Sequence, residues 1–303
     1  MFTGMTERMP ALSLAAVPGR RAKTLELAAD IERRGFSGIY CPSFGDAMGL
    51  CLSIAHVTST IQFGTSIQPI YLQHPAALAT SASYLHEIAE GRFRLGVGVT
   101  HGPVIKRLGV ETGKPLTDMR EYVGTMRDAA EQTGELPPVV LATLRDKMVG
   151  LAAEIADGAV WANASRSRMA HSLGLIPDGS ELWIGNMVPT VIDDDIDAAR
   201  SRNRRSLQGY VALPNYRNYW IEAGYEEEMT AVVAGLEALD PDAVLAAMSD
   251  RWLDDCTLSG SVAQVRDGIE AWFDAGVTAP IIVPSSTSGG QAKAFAELFD
   301  AFA

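Results

Sequence analysis

Several short stretches of this 303-residue sequence carry residue types that could do chemistry. His101 stands two residues past the apolar run 93–99 (FRLGVGV), after Thr100. A histidine just past the C-terminal end of a strand serves as proton donor or hydrogen-bond partner. The same placement also fits a histidine on a surface loop. Run 61–67 (IQFGTSI) brings Gly64, Thr65, Ser66 and Ile67 together ahead of Gln68-Pro69. Small hydroxyl residues beside glycine let a flat ligand approach the backbone closely, though an ordinary strand with a polar end reads the same way. Within 93–99, Gly96 and Gly98 share one face, opposite Phe93, Leu95, Val97 and Val99. A glycine face weakens a strand and suits close approach by a ligand or a helix. The turn 143–147 (TLRDK) leads into a helical pattern, where backbone N–H groups bind phosphate. Thr143, Arg145 and Lys147 add a hydroxyl and two cations. Positive side chains oppose the dipole at a helix start, which favours a role over plain solvated charge.

Other chemistries find no support. There is no Walker A sequence, no H-E-x-x-H and no G-x-S-x-G elbow. Gly96, Gly98 and Gly102 sit one residue off the dinucleotide fingerprint, and Pro103 stands where its helix should begin. The five histidines are scattered, with no metal-ligand spacing. His56 and His86 lie inside helical patterns and read as structural; His74 precedes Pro75 at a helix start. Cys41, Cys51 and Cys256 include no C-x-x-C and cannot form a disulfide framework, which fits a reducing, cytoplasmic setting. Cys41 has no adjoining cation and reads as a packed thiol.

The elements that must position these residues alternate along the chain. Short apolar runs at 11–17, 38–42, 61–67, 93–99, 139–142, 159–162, 182–188 and 281–283 read as eight strands. Helical patterns fall between them, at 21–34, 46–58, from Pro75 to Gly91, 117–126, 146–156, 166–173, 262–273 and 291–302. Ser261 and Gln264 suit a capping box. Strands alternating with helices imply parallel pairing, and eight of them predict a closed (β/α)8 TIM barrel, with a doubly wound open sheet as the rival. One region breaks the rhythm: 194–255 is long, polar and helical, and holds Tyr210, Tyr216, Tyr219, Trp220 and Tyr225. In a barrel it is a helical insertion after strand seven, on the face where active sites form. Its aromatics either line a pocket or pack helices on one another. The whole of 1–303 then forms a single domain.

Lys and Arg number 25 against 37 Asp and Glu, a net charge of −12. That excludes nucleic acid or an anionic membrane as the main partner and favours a small-molecule substrate. The first ten residues carry both signs of charge and no signal-peptide core, and no apolar run of about 18 residues occurs.

Taken together, these segments resemble the bacterial luciferase-like superfamily, and within it the F420-dependent oxidoreductases. The block 74–99 (HPAALATSASYLHEIAEGRFRLGVGV) looks like the superfamily's most recognisable stretch, and 141–161 (LATLRDKMVGLAAEIADGAVW) is similar to a second. LPNYRNYWIEAGY at 213–225 looks most like the F420-using branch, and 257–277 is similar to the last repeat. The resemblance implies a barrel, usually a homodimer, with the cofactor across the C-terminal mouth. It implies a non-proline cis peptide at Ser66–Ile67 behind the cofactor ring, and a cofactor phosphate at Thr143 to Lys147. Two departures stand out. Family members often carry an acid or histidine at the end of strand two, where this chain has Cys41-Pro42-Ser43-Phe44, and the segment 129–136 is short.

The expectation is an oxidoreductase in which reduced coenzyme F420 passes hydride to a small unsaturated or carbonyl-like substrate. Ser43, Gly64, Thr65, Ser66 and Ile67 would lie at the ring, Gly98 and Thr100 at its edge. Thr143, Arg145 and Lys147 would meet the phosphate. Asn163 would hydrogen-bond cofactor or substrate, and His101 would donate a proton or anchor the substrate. The alternatives are an FMN-dependent monooxygenase, and a barrel that binds flavin or deazaflavin without turnover.

Overall fold

In the computed structural model, which describes residues 8–303, ten strands form one parallel sheet. They are β1 (Ala11–Ser13), β2 (Gly38–Cys41), β3 (Gln62–Thr65), β4 (Gln68–Pro69), β5 (Phe93–Gly98), β6 (Val139–Ala142), β7 (Gly158–Ala162), β8 (Trp183–Ile192), β9 (Leu258–Gly260) and β10 (Ala279–Ser285). The order β1-β2-β3-β5-β6-β7-β8-β10 closes when β10 pairs with both β8 and β1, giving the expected eight-stranded (β/α)8 barrel. The open-sheet rival is thereby excluded. The short β4 pairs with β5, and β9 pairs with the far half of β8.

Side-chain alternation builds two cores. Leu12, Ile39, Phe63, Leu95, Val97, Leu141, Trp161 and Val188 point outward and are buried under the helices. Ala11, Tyr40, Val140, Val160 and Ile281 point inward, joined by Ile67, Trp183 and Met187. The barrel's base is plugged: the Tyr40 and Trp183 rings lie 5.0 Å apart, and Arg94 reaches over Trp183 while donating to Gln62 Oε1 at 2.9 Å. The opposite, C-terminal end is the one left to receive a ligand.

Helix starts follow local chemistry. Ser261 and Gln264 form the expected capping box, and Asp195 caps the helix Ile196–Val211 by accepting from Asp197 and Ala198 N–H. Several sequence expectations are corrected. The first strand stops at Ser13 rather than residue 17, and the last extends over 279–285. The helix expected over 117–126 is longer at both ends: Pro115 opens a 19-residue helix, Pro115–Thr133. Pro103 does not forbid a helix but sits in the first turn of one, Gly102–Leu108, since a proline there forfeits no hydrogen bond. Strand seven runs to Ile192, and β9 is an addition, too short to show a pattern.

The expected strand 61–67 is broken. Register with β5 changes from Gly64↔Arg94 to Gln68↔Val97, so four steps on one strand match three on the other. The extra residue is a bulge, and the Ser66–Ile67 peptide within it is cis. Glycines make room for it. A Cβ on Gly96 would stand 2.1 Å from the Thr65 carbonyl oxygen, and one on Gly98 would stand 2.9 Å from Ile67 Cδ1. Gly96→Ala is therefore expected to destabilise by at least about 1–3 kcal/mol, the cost of overpacking. Gly150→Ala, in open space on an exposed helix face, should gain up to about 1 kcal/mol. Denaturant titration of the two variants checks the contrast; equal effects would refute it.

Candidate active site

The C-terminal mouth is floored by small and flexible side chains. Ala142 and Ala162 continue the inward rows of Val140 and Val160, and Ile67 and Met187 are half-buried between them. Ile67 lies over Gly98, and Ser66 Oγ is 3.2 Å from Met187 Sδ. The result is a low apolar shelf with the bulged backbone along one side. Thr65 does not face a ligand: its hydroxyl donates to the Gly96 carbonyl at 2.7 Å, tying the bulge to β5. The Ser66 N–H is likewise taken by the Cys41 carbonyl, at 2.7 Å. Of the residues expected at the ring, Ser66, Ile67 and Gly98 form the shelf. Gly64 sits one step below, packed on Arg94, while Thr100 is half-buried at the rim and Ser43 is exposed on the loop after β2.

His101 occupies the N-cap position of Gly102–Leu108 but makes no capping bond with its side chain. Its ring instead meets two insertion rings edge-on, Tyr216 at 5.8 Å and Tyr210 at 6.3 Å. It is not a surface-loop histidine. Burial holds its imidazole below the ordinary value of 6.5, so the ring is neutral at pH 7. A neutral imidazole donates a hydrogen bond well but is a weak reserve of protons.

The insertion is five helices: Ile196–Val211, Pro214–Glu222, Glu226–Glu237, Pro241–Ala247 and Asp250–Cys256. Its aromatics divide between the two readings left open by the sequence. Tyr219 and Trp220 are pins: the Tyr219 hydroxyl accepts from Ser165 N–H at 3.0 Å, and Trp220 Nε1 donates to the Asn163 carbonyl at 3.3 Å. Trp220 also packs edge-on against Trp252 at 4.8 Å. Tyr210 and Tyr216 pack instead against His101, at the start of Gly102–Leu108. Arg200 holds Asp254 at 2.7 Å and Asp250 at 3.2 Å, closing the insertion's outer helices together.

The turn after β6 departs from its expected role as a free basic spot. Arg145 Nε donates to Glu222 at 3.0 Å, and its Nη2 pairs with the same carboxylate. Arg168, which had no signal in the sequence, donates to the Glu222 carbonyl at 2.7 Å and lies 3.4 Å from Asp146. His171 also reaches Asp146, at 3.0 Å, and with Arg168 holds that carboxyl below its usual range. Thr143 is buried, and Lys147 is exposed. These contacts join residues 22 to 77 apart in sequence, which no local pattern reveals. Among the described residues, no group of three His, Cys, Asp or Glu converges to hold a metal ion.

A (β/α)8 barrel whose open mouth joins a bulged strand-three shelf to a helical insertion defines an enzyme class, and comparison with known proteins places the chain within it. The profile described as luciferase-like monooxygenase matches residues 5–279. The chain belongs to this family of oxidoreductases. It is 28% identical over 275 residues to a 5,10-methylenetetrahydromethanopterin reductase of Archaeoglobus fulgidus, covering 79% of this chain and 81% of that one. The solved structure of the coenzyme F420-dependent tetrahydromethanopterin reductase of Methanopyrus kandleri superposes with TM-score 0.74, at 18% identity, covering 97% of each chain. An FMN-bound type II Baeyer–Villiger monooxygenase of Pseudomonas putida superposes at 0.63, with 20% identity over 97% of this chain and 96% of that one. At these identities the solved structures speak for the fold.

Two outcomes follow. Glu222→Gln should free Arg145 and tighten binding of inorganic phosphate about two- to five-fold, the size of one exposed ion pair; unchanged affinity by calorimetry would mean the turn is not an anion site. The folded chain binds the His101 proton less readily than the unfolded chain. That contribution to stability is whole above pH 6.5 and is lost as pH falls through the lower folded value. His101→Gln should therefore flatten the fall in Tm between about pH 6.5 and 5, as scanning calorimetry at both pH values would show.

Proposed function

We propose that this chain binds reduced coenzyme F420 across the barrel mouth and catalyses hydride transfer to a small unsaturated or carbonyl-like substrate. The observation that carries this reading is the shelf of Ser66, Ile67, Met187 and Gly98, built of small or flexible side chains with bulged backbone beside them. A planar tricyclic ring lies on such a surface with its edges left for hydrogen bonds. When bound, the deazaflavin would supply the redox chemistry; the protein's part is binding, orientation and exclusion of water.

The charges at the mouth favour one orientation. Arg145, Lys147 and Arg168 gather beyond β6 and β7, whereas Asp193, Asp194 and Asp195 gather beyond β8. An anionic cofactor tail belongs on the first side, once Glu222 yields its place on Arg145. The relatedness to a methylenetetrahydromethanopterin reductase and the fold shared with an F420-dependent reductase support F420. The fold is also shared with an FMN-bound monooxygenase, so FMN is the second reading. The two differ in chemistry, since deazaflavin lacks the ring nitrogen through which reduced flavin activates oxygen.

Titration of the purified protein with each cofactor, followed by absorbance and fluorescence, separates them. Saturable binding of F420 with weak FMN binding is the expected result. Tight FMN binding with none of F420 would overturn the choice, and binding of neither would remove the reading altogether.

A further inference from the structure

Asn163 is an anomaly at the edge of the mouth. It directly follows β7 with φ of 59°, a left-handed conformation that asparagine tolerates better than most residues. Its backbone is fully engaged, with N–H on the Met187 carbonyl at 2.9 Å and C=O on Trp220. Its side chain is buried, yet Nδ2 has no hydrogen-bond partner. A buried amide left unpaired is destabilising, and such groups in a packed fold call for an explanation. The amide lies beside the Tyr210 hydroxyl and favours the charged form of the phenol, although Nδ2 completes no hydrogen bond of normal geometry.

Tyr210 comes from the insertion, in the last turn of Ile196–Val211, and stays half-buried while Asn163 behind it is sealed. Its ring is wedged edge-on between His101 at 6.3 Å and Tyr216 at 5.0 Å. The phenol thus has three neighbours: two rings packed edge-on against it and the Asn163 amide beside its oxygen. Burial raises Tyr210 above its ordinary value and lowers His101, so both keep the neutral form that donates.

We propose that Tyr210 contacts the bound organic molecule directly, donating its O–H to a carbonyl oxygen, with Asn163 as the positioning residue whose Nδ2–H closes onto the phenol oxygen from behind. The chain Asn163 Nδ2–H to Tyr210 Oη–H to carbonyl oxygen satisfies the orphaned amide and presents one donor at the shelf. It calls for an acceptor oxygen, such as a ring carbonyl of the cofactor or the carbonyl of a ketone or enone substrate. The assignment rests on the reading of the mouth as a cofactor site.

The test uses Tyr210→Phe and Asn163→Gly in the full chain. Glycine keeps the left-handed backbone while deleting the amide. In the first arm, F420 fluorescence titration gives the Kd. In the second, saturation-transfer NMR in the presence of F420 follows binding of cyclohex-2-enone and acetone. A rise in F420 Kd of about five- to tenfold in both variants, with Asn163→Gly leaving Tm within about 2 °C, assigns the donor to the cofactor carbonyl. Unchanged F420 Kd with the ketone or enone signal lost in both variants assigns it to the substrate. Unchanged binding in both arms, or weakened binding accompanied by a large fall in Tm for Asn163→Gly, overturns the proposal while leaving the cofactor reading intact. Wild-type protein that binds no F420 and no FMN removes that reading and the contact with it.

Discussion

β3 and β5 run so close at their ligand end that no side chain fits between them. A Cβ on Gly64 would meet the Arg94 carbonyl at 2.4 Å, and one on Gly96 would meet the Thr65 carbonyl at 2.1 Å. This close approach is what the mouth depends on. It lets β3 take an extra residue without leaving the barrel, because the Thr65 hydroxyl can still reach the Gly96 carbonyl and Gln68 can still pair with Val97. The bulge turns Ile67 inward over Gly98, and Ile67 with Met187 then closes the top of the inner core. The shelf is a consequence of packing, held by backbone bonds and by the absence of side chains rather than by any one polar contact.

The barrel alone supplies a surface; the insertion supplies a wall. Trp220 and Tyr219 fasten it to the loop after β7, Asn203 donates to the Leu258 carbonyl at 3.0 Å and to Ser259 at 2.8 Å, and Ser167 binds Asp255 through both N–H and hydroxyl. These bonds place Tyr210 and Tyr216 over His101. The neutral histidine and the protonated phenol are thus products of one arrangement, since the rings that bury each are the other's neighbours. The same helices bring Glu222 onto Arg145, so the cation nearest the expected phosphate position is already balanced by a carboxylate of this chain.

Much of this was legible in the sequence, for physical reasons. Buried parallel strands are short apolar runs, so 139–142 reads at its true bounds and 38–42 within one residue. The glycine face at Gly96 and Gly98 announced a close approach, and what approaches is Ile67 together with the neighbouring strands. Pro103 misled because a proline one turn into a helix and a proline that stops one look alike without the backbone. Tyr210 was visible as one aromatic among several, with nothing to separate it from the pins Tyr219 and Trp220. Arg168 and Glu222 were invisible, because their significance lies in meeting Asp146 and Arg145 across the fold.

The longest strand has a bearing on how this architecture diversifies. β8 outruns β7, and along the edge that β7 vacates it pairs with β9, so Ile192 and Gly260 stand side by side in register. Asp193 N–H bonds the Gly260 carbonyl at 2.9 Å, stitching the point where the chain leaves the barrel to the point where it returns. Everything between is a loop whose two ends are already clamped together, so its length adds little to the entropy of closing the barrel. A change in the length of its helices would therefore alter the wall of the mouth at little entropic cost to the eight-stranded frame.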